Sequence, residues 1–419
     1  MRVHGYAQYG VFALALSWCH ATCAAEVATS ARLKTFAATT HLPAHDVGRT
    51  LAGSNRAQLQ IDARGHVALT NEHWRAELDG ELTGSAADAL RGLPGAMDPF
   101  GANDGLRAFD GAIATARTDQ RAIRARIDRL LIGYRDEQFA FVLGRQAVSW
   151  GNGLVFQPFD LFNPFAPTET DRDYKVGDDL ALAEWTSTSA QDLQVVILAR
   201  RTSDGKRELA AGSVGAKWQQ PVGFGELNVL VAQHAGDGVF GLGWNMPIGE
   251  SVARLDWVVT RLNGQTWRHS LVLNADRSFV IATHNLYTFA EIYRNGFGAS
   301  DTPRALSALN APLRRRLQRG EVFTVSRWYG ALGATLEWNP LWKQTALLIV
   351  SAQDRSALLQ STLRYEPDDR SVIEGGITWG VGSSGDEFAG IPVAVAPRGV
   401  QAPTSGGGIN AHLRMSWYW

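Results

Sequence analysis

The chain ends in the stretch that decides its fold class, Ile409-Asn410-Ala411-His412-Leu413-Arg414-Met415-Ser416-Trp417-Tyr418-Trp419. Apolar residues occupy every second position from Ile409 to Trp419. Successive side chains of a β-strand point to opposite faces, so one face of this strand meets an apolar phase and the other meets water or polar groups. The aromatic last residue favours lipid as that phase. A soluble sandwich is the alternative, because a period of two does not distinguish lipid from a protein core.

The beginning of the chain has the pattern of a secretory signal peptide. Basic residues at positions 2 and 4 precede an apolar stretch at 11–18, which is too short to span a bilayer. Cys23-Ala24-Ala25 suits cleavage, so we predict that residues 1–25 are removed, with a buried N-terminal helix as the alternative. Both cysteines of the chain, Cys19 and Cys23, lie in this segment. The mature chain is therefore expected to have no disulfides, thiolate metal sites or cysteine nucleophiles.

The composition fits a membrane barrel. Hydrophobic residues make up 45% of the chain and 14 residues are tryptophan, yet no apolar run after the signal region is long enough for a membrane helix. A closed barrel satisfies every backbone hydrogen bond in lipid without helices. The formal net charge of -1 argues against nucleic acid as a partner, because nucleic-acid binding favours a clustered basic surface.

Connections between the alternating segments are short and long in turn. The long ones are expected at about 83–118, 149–177, 296–322 and 382–408, and one short turn is expected at Ala275-Asp276-Arg277. Outer-membrane barrels have tight periplasmic turns and longer external loops. We predict an all-β fold, a transmembrane antiparallel up-and-down β-barrel over residues 66–419, of about 16 strands if residues 66–82 form the first strand. Residues 26–65 are then a periplasmic lead-in, or an N-terminal hairpin that raises the number to about 18.

One motif near the middle of the chain is distinctive. It reads Gly144-Arg145-Gln146-Ala147-Val148-Ser149-Trp150-Gly151-Asn152-Gly153 and continues through Phe156, Pro158, Asp160, Asn163 and Pro164. It resembles a family of Gram-negative outer-membrane porin-like β-barrels related to alginate-export-type barrels, in which a strand ends in Gly-Arg-Gln and Trp-Gly opens a loop ending in Asp-x-x-Asn-Pro. Residues 290–298 and 338–341 resemble later signatures of this group. The resemblance covers about residues 120–419 and implies a porin-like barrel.

The loop at 149–177 carries many large apolar residues, so we expect it to pack against another part of the protein. Gly151 and Gly153 permit positive φ and close backbone approach. We predict that this loop folds into the barrel as a constriction, since charged side chains at a constriction set pore selectivity. The residues expected near the narrow part are Arg145, Asp160, Asp171, Arg172 and Asp173, and those of the loop motif are Gln146, Trp150, Gly151, Gly153 and Asn163. The alternative is that Arg145 and Asp160 pair and only pin the loop.

Charged residues on the polar faces of the strands are predicted to line the lumen. An arginine on the lipid face near mid-bilayer costs about 2–4 kcal/mol, which favours an inward position. The predicted lumen-lining residues are Arg124, Arg126, Asp128, Arg254, Asp256, Glu291, Arg364, Glu374 and Arg414. For each of them, an ion pair that stiffens the wall is the alternative to a role in selectivity. Trp417 and Trp419 are predicted to form the assembly signal of the closing strand.

No sequence motif indicates catalysis. The chain has no G-x-S-x-G, H-E-x-x-H or P-loop motif, so we predict that it is not an enzyme and has no cofactor and no metal site. His284 with a nearby serine is the candidate site for a hydrolase, and this alternative requires His284 at the outer rim.

The sequence therefore predicts a protein of the outer membrane that forms a porin-like channel for small solutes. The alternatives are an export conduit or envelope-assembly component that works with a periplasmic or inner-membrane transporter, and a surface hydrolase. The expected partners are outer-membrane lipid, the barrel-assembly machinery, small solutes and, for the export alternative, that transporter.

Overall fold

The computed structural model describes residues 25–88, 106–118, 120–162, 164, 166, 174–202, 205–206, 211–262, 266–301, 305–395 and 402–419. Its main element is a closed antiparallel β-barrel of 18 strands. In chain order the strands are β1 Glu26–His41, β2 Asn55–Thr70, β3 Trp74–Ala87, β4 Ala112–Arg117, β5 Arg121–Arg135, β6 Phe139–Gln146, β7 Asp178–Thr186, β8 Asp192–Leu198, β9 Ser213–Val222, β10 Gly225–His234, β11 Asp237–Ile248, β12 Ser251–Leu262, β13 Thr266–Ile281, β14 His284–Arg294, β15 Trp328–Asn339, β16 Trp342–Ser351, β17 Ala357–Asp368, β18 Ser371–Val381, β19 Ile391–Pro392, β20 Thr404–Ser405 and β21 Ile409–Tyr418. The short β4 adds to one edge of β5, and β19 pairs with β20 in a loop.

The last strand closes the barrel. β21 pairs with β18 on one side and with β1 on the other, and Trp417 lies opposite Leu33 of β1 and Ser371 of β18. The all-β, up-and-down barrel predicted from the sequence is confirmed. Its larger strand number is correct, because β1 and β2 form a hairpin within the wall. Residues 66–82 are not one strand, since β2 ends at Thr70 and the chain turns before β3.

The two faces of the wall reverse the pattern of a soluble protein. Apolar side chains on the outer face are exposed, including Leu273, Ile292 and Leu332 at 48%, 54% and 56%. Charged side chains on the inner face are buried, and Asp62 and Asp128 are both 0% exposed. Charged residues are almost never fully buried in a soluble core unless they are paired. An apolar outer face around a polar interior is the arrangement of a transmembrane barrel, which excludes the soluble sandwich.

One short turn differs from its predicted position. The turn expected at residues 275–277 lies at Ala282–Thr283, where both residues have a positive φ of 47° and 76°. β13 continues through residues 275–277, which pair with β12 on one side and with β14 on the other. Asp276 accepts a hydrogen bond of 2.5 Å from Arg254 of β12. The polar pattern that indicated a turn thus belongs to a lumenal ion pair.

Longer connections at the opposite end of the barrel are packed together. Helix α1 (Val47–Ala52) follows β1, and helix α2 (Ala311–Gln318) lies between β14 and β15. The carboxylate of Glu387, in the loop after β18, accepts hydrogen bonds from the backbone of Val325 and Ser326 and from the Tyr329 hydroxyl. We call this end of the barrel the loop end. In the described ranges, no helix has the length and apolar character needed to cross a membrane.

Candidate pore constriction

The connection between β6 and β7 folds into the barrel. We call residues 147–177 the inward loop; they are described at 147–162, 164, 166 and 174–177. Val148, Trp150, Phe159 and Phe162 pack in one buried cluster on inner-face residues of β7–β12, such as Leu230. Val155 and Phe156 pack in a second cluster on β13–β16. The loop's apolar side chains thus lie against the inner wall, as the sequence predicted for an inward-folding loop.

Glu291 of β14 is the main polar anchor of the inward loop. Its carboxylate accepts hydrogen bonds from three successive backbone N–H groups, those of Leu154 at 2.6 Å, Val155 at 3.1 Å and Phe156 at 2.8 Å. The side chain of Asn274 on β13 donates to the same carboxylate at 3.2 Å. Hydrogen bonds to a charged acceptor are about twice as strong as neutral ones. One buried wall carboxylate therefore satisfies three successive N–H groups of the loop backbone.

Asp256 of β12 holds the preceding part of the loop. Its carboxylate accepts hydrogen bonds from the backbone N–H of Asn152 at 2.8 Å and from the Asn152 side chain at 2.7 Å. Asn274 also donates to the backbone carbonyl of Asn152 at 3.2 Å. Three neighbouring strands thus each contribute a polar side chain that forms hydrogen bonds with residues 152–156.

Asp160 closes the loop on itself. Its carboxylate accepts hydrogen bonds from the backbone N–H groups of Trp150 at 2.5 Å and Gly151 at 2.9 Å. Its other oxygen pairs with the ammonium group of Lys175. Asp160 is therefore a structural clasp of the inward loop, and its charge is neutralised by the loop's own lysine.

Glycines of the inner wall make room for the loop's aromatic rings. A Cβ at Gly241 of β11 would lie 2.8 Å from the Phe159 ring and 3.1 Å from the Cβ of Leu230. A Cβ at Gly215 of β9 would lie 3.3 Å from the rings of both Phe162 and Trp150. The Trp150 ring is also oriented by a 2.6 Å hydrogen bond from its N–H to Gln194.

We expect Gly241→Ala to destabilise the barrel by about 1–3 kcal/mol, because the added methyl displaces the Phe159 ring from a close-packed site. Gly330→Ala is the matched control, since a Cβ at Gly330 of β15 meets no atom within 4 Å. The measurement is the temperature at which each purified barrel loses its heat-modifiable migration on a gel. Equal temperatures for the two variants would show that Phe159 is not held at this position.

The motif glycines are required by the close approach of neighbouring atoms rather than by a positive φ. A Cβ at Gly153 would lie 1.7 Å from the carbonyl oxygen of Phe156, so only glycine fits there. Neither Gly151 nor Gly153 has a positive φ, so close approach is the correct part of the prediction. Gln146 is buried and its side-chain amide donates to the Val142 carbonyl at 3.3 Å. Asn163 lies outside the described residues.

Arg145 does not lie beside Asp160. Its guanidinium donates to the Asp179 carboxylate at 2.8 and 3.1 Å and to the carbonyl oxygens of Ile127 and Phe109. Arg145 therefore fixes the wall where the chain leaves β6, and it does not form the alternative pair with Asp160. The reason is that Asp179 of β7 lies directly opposite Arg145 in the β6–β7 register. The place of Arg145 at the narrow part stays a prediction. Asp171, Arg172 and Asp173 lie outside the described residues.

The predicted lumenal charges lie mostly in ion pairs. Arg126 pairs with Glu81, and Asp128 lies 2.9 Å from Arg64 and 3.2 Å from Arg129. On the other side of the seam between β1 and β21, Glu374 accepts from Arg414 at 2.9 Å and lies 3.8 Å from Arg364. Arg254 pairs with Asp276, Arg124 is buried, and Asp256 and Glu291 hold the inward loop. The contacts thus favour structural roles for these charges.

The sequence analysis did not identify several polar residues of the barrel interior. Tyr174 places its ring 3.7 Å from the guanidinium of Arg64, and its hydroxyl donates to Glu81 at 2.9 Å. Arg64 and Glu81 belong to β2 and β3, where no strand boundary was recognised, and Asn274 is a neutral residue in an apolar run. The alternation of polar and apolar residues in β2 could have indicated this strand. Gln60, Asp62 and Arg64 alternate with Leu59, Ile61 and Ala63.

A serine, a histidine and a carboxylate do meet at the loop end, but not at His284. Ser213 lies 2.8 Å from Nδ1 of His234, and Glu321 lies 2.9 Å from Nε2. Burial opposes ionisation of Glu321, yet the charges of His234 and Arg319 hold the pKa of Glu321 below its usual range. Ser213 is only 5% exposed, so we interpret this group as a link between β9, β10 and the loop after α2.

His284, the histidine considered from the sequence, begins β14 at the short-turn end beside Trp338. It therefore does not reach the loop end that the hydrolase alternative requires. In the ranges that the structure describes, no group of three or more His, Cys, Asp or Glu side chains has an arrangement that could hold a metal ion.

Comparison with known proteins shows the fold. No protein-family model and no curated protein matches the sequence. The structure of OccAB1 from Acinetobacter baumannii is similar over 94% of this chain and 96% of its own, with a TM-score of 0.54 and 8% identity. OccK7 (OpdD) from Pseudomonas aeruginosa is similar over 94% and 99%, with a TM-score of 0.52 and 11% identity.

A third similar structure is Wzi, an outer-membrane protein involved in group 1 capsule assembly in Escherichia coli and a carbohydrate-binding β-barrel. It is similar over 92% of this chain and 83% of its own, with a TM-score of 0.52 and 10% identity. At these identities the likeness concerns architecture. The chain has the fold of the Gram-negative outer-membrane β-barrel channels.

Proposed function

We propose that this protein is a porin-like channel that lets small solutes cross the outer membrane, with the inward loop as its constriction. The observation that carries the proposal is the fixation of residues 152–156 inside the barrel by Asp256, Asn274 and Glu291. A barrel of this strand number is wide enough for an aqueous lumen, and a loop fixed across part of it sets the passage. The fold shared with the Occ proteins supports the proposal.

Residues of the inward loop outside the two apolar clusters are proposed to face the passage. Lys175 links Asp160 to the Gln157 side chain at 3.3 Å, which places a polar group on the loop's surface. Asp171, Arg172 and Asp173 complete the proposed narrow part. The proposed relation to alginate-export-type barrels rests on the Gly144 to Pro164 motif.

The test is single-channel recording in planar bilayers with Asp256→Asn/Glu291→Gln. Each charge-assisted hydrogen bond lost is worth about 1.5–3 kcal/mol, so the loop should leave the wall part of the time. We expect frequent transitions to a higher conductance that the unchanged protein does not show. Glu250→Gln/Glu337→Gln is the control, because these exposed carboxylates lie at the short turns and do not contact the loop. A closed wild-type barrel that never conducts would contradict the channel, whereas a steady conductance unaffected by the loop variant would contradict only the constriction.

A second candidate is an export conduit or envelope-assembly component that works with a periplasmic or inner-membrane transporter. The fold that the chain shares with Wzi, a protein involved in capsule assembly, supports this second candidate. This candidate predicts a deletion phenotype that requires the partner transporter. A solute-permeability defect that persists without any exporter would favour the channel.

A further inference from the structure

The inner surface of two neighbouring strands, β17 and β18, differs from the rest of the wall. Both strands are described in full and neither has a buried residue, whereas each of the other strands longer than six residues has at least one. Leu363 and Ile377 point outward and are 40% and 55% exposed, so the residues next to them point inward. The inward-pointing cross-strand pairs are Gln360–Thr378, Thr362–Gly376 and Arg364–Glu374.

The inward loop is held on other strands. The buried wall residues of its two clusters belong to β7–β16, and its hydrogen bonds to Asp256 and Glu291 lie on β12 and β14. Tyr174, near the end of the loop, contacts Arg64 of β2 and Glu81 of β3. β17 and β18 lie in the arc of wall between these two sets of contacts. A barrel of this strand number leaves an aqueous lumen, so their partly exposed inner face marks the course of the passage.

The charges on this inner face balance one another. Arg364 lies 2.5 Å from Glu366 and 3.8 Å from Glu374, which accepts a hydrogen bond of 2.9 Å from Arg414 of β21. We call these two arginines and two glutamates the charged row. Channels that select ions by charge carry rings of side chains of one sign. The charged row has both signs in equal number, so it gives neither cations nor anions an advantage.

Neutral polar side chains lie next to the charged row, on the side toward the loop end. They are Gln360, Thr362 and Thr378, which we call the polar strip. Thr345 of β16, which is exposed, lies opposite Thr362 and extends the strip by one strand. A hydroxyl group donates one hydrogen bond and accepts others, and a side-chain amide also does both. The polar strip can therefore exchange hydrogen bonds with the hydroxyl groups of a solute as readily as with water.

We propose that the passage runs along the inner face of β17 and β18 and that the polar strip selects uncharged, hydroxyl-rich solutes such as monosaccharides. This inference rests on the proposed channel and names the class of its solutes. A sugar replaces its hydrogen bonds to water by hydrogen bonds to Gln360, Thr362 and Thr378. An ion loses part of its hydration in a narrow passage, and the balanced charged row does not compensate that cost.

The test measures uptake of radiolabelled solutes into proteoliposomes that contain the full-length barrel. The probes are glucose, gluconate and protonated glucosamine, which share a six-carbon skeleton and differ in charge. We expect glucose to enter fastest. Thr362→Val/Thr378→Val keeps the side-chain shape and removes two hydroxyl groups, so glucose uptake should fall about threefold or more. The single-channel conductance in potassium chloride should stay the same, because the width and the charge of the passage are unchanged.

The control is Thr35→Val/Thr39→Val, which makes the same change on the outer face of β1, opposite Met415 and Ala411 of β21. It should take up glucose like the unchanged protein, and heat-modifiable migration establishes that both variants fold. Equal glucose uptake by the two variants would overturn the role of the polar strip. Gluconate or glucosamine entering the unchanged protein as fast as glucose would overturn the solute class.

These outcomes are distinct from a failure of the channel itself. A barrel that conducts ions but does not prefer glucose contradicts only the present inference. A folded barrel that neither conducts ions nor takes up any of the three solutes contradicts the proposed channel and the inference together.

Discussion

Replacing residues 152–170 by a short Gly-Ser linker should raise the single-channel conductance by a factor of about two or more, because the conductance of a pore is set by its narrowest part. The replacement removes the backbone groups held by Asp256 and Glu291 together with Phe156, Phe159 and Phe162. The wall itself supplies all of the barrel's strand pairing, so the barrel should still close. The measurement is recording in planar bilayers at fixed salt concentration.

The matched control replaces residues 394–402, between β19 and β20, with the same linker. The strands that this connection joins are also at the loop end, and its described residues, 394, 395 and 402, belong to neither buried cluster of the inward loop. Its conductance should equal that of the unchanged protein. If the 152–170 replacement also leaves the conductance unchanged while remaining heat-modifiable, the inward loop is not the constriction.

Removal of Trp417–Trp419 should lower the amount of folded barrel in the outer membrane on the order of tenfold, because each unsatisfied backbone group in lipid costs several kcal/mol. Trp417 pairs with both neighbours of the closing strand, opposite Leu33 and Ser371. Trp419 exchanges two backbone hydrogen bonds with Ala31, at 2.9 and 3.1 Å. The truncation thus opens the seam at its short-turn end and removes three aromatic side chains, those of Trp417, Tyr418 and Trp419.

The measurement is the fraction of heat-modifiable protein in isolated outer membranes. Trp419→Phe serves as the control, since it retains an aromatic terminus and all backbone pairing, and its yield should match that of the unchanged protein. Normal insertion of the truncated chain would overturn the role of these residues as an assembly signal.

The strand pattern was readable in the sequence because lipid imposes it at every position. Leu413 is 44% exposed on the outer face while Arg414 is buried in the lumen, as the period of two requires. The first hairpin escaped assignment for a physical reason. β1 carries threonines and alanines on both faces, so its alternation is weak even though it pairs with β2 along its whole length.

The candidate site was predictable in its chemistry but not in its partners. The apolar content of the inward loop predicted that it would pack, and Asp256 and Glu291 were both placed in the lumen. Their role in binding the loop was not visible, because Glu291 accepts from Phe156 across 135 positions of the chain. Arg145 and Asp160 lie close in sequence, but each has another partner. The β6–β7 register places Asp179 opposite Arg145, and the fold of the inward loop brings Lys175 to Asp160.

The sequence by itself therefore determined the architecture of this protein, since an alternating wall with an aromatic end is a local pattern that the membrane selects residue by residue. Only the tertiary structure decided which charges are neutralised. Pairing depends on strand register and on where the inward loop lies, and these bring Glu291 to the loop backbone and Asp179 to Arg145.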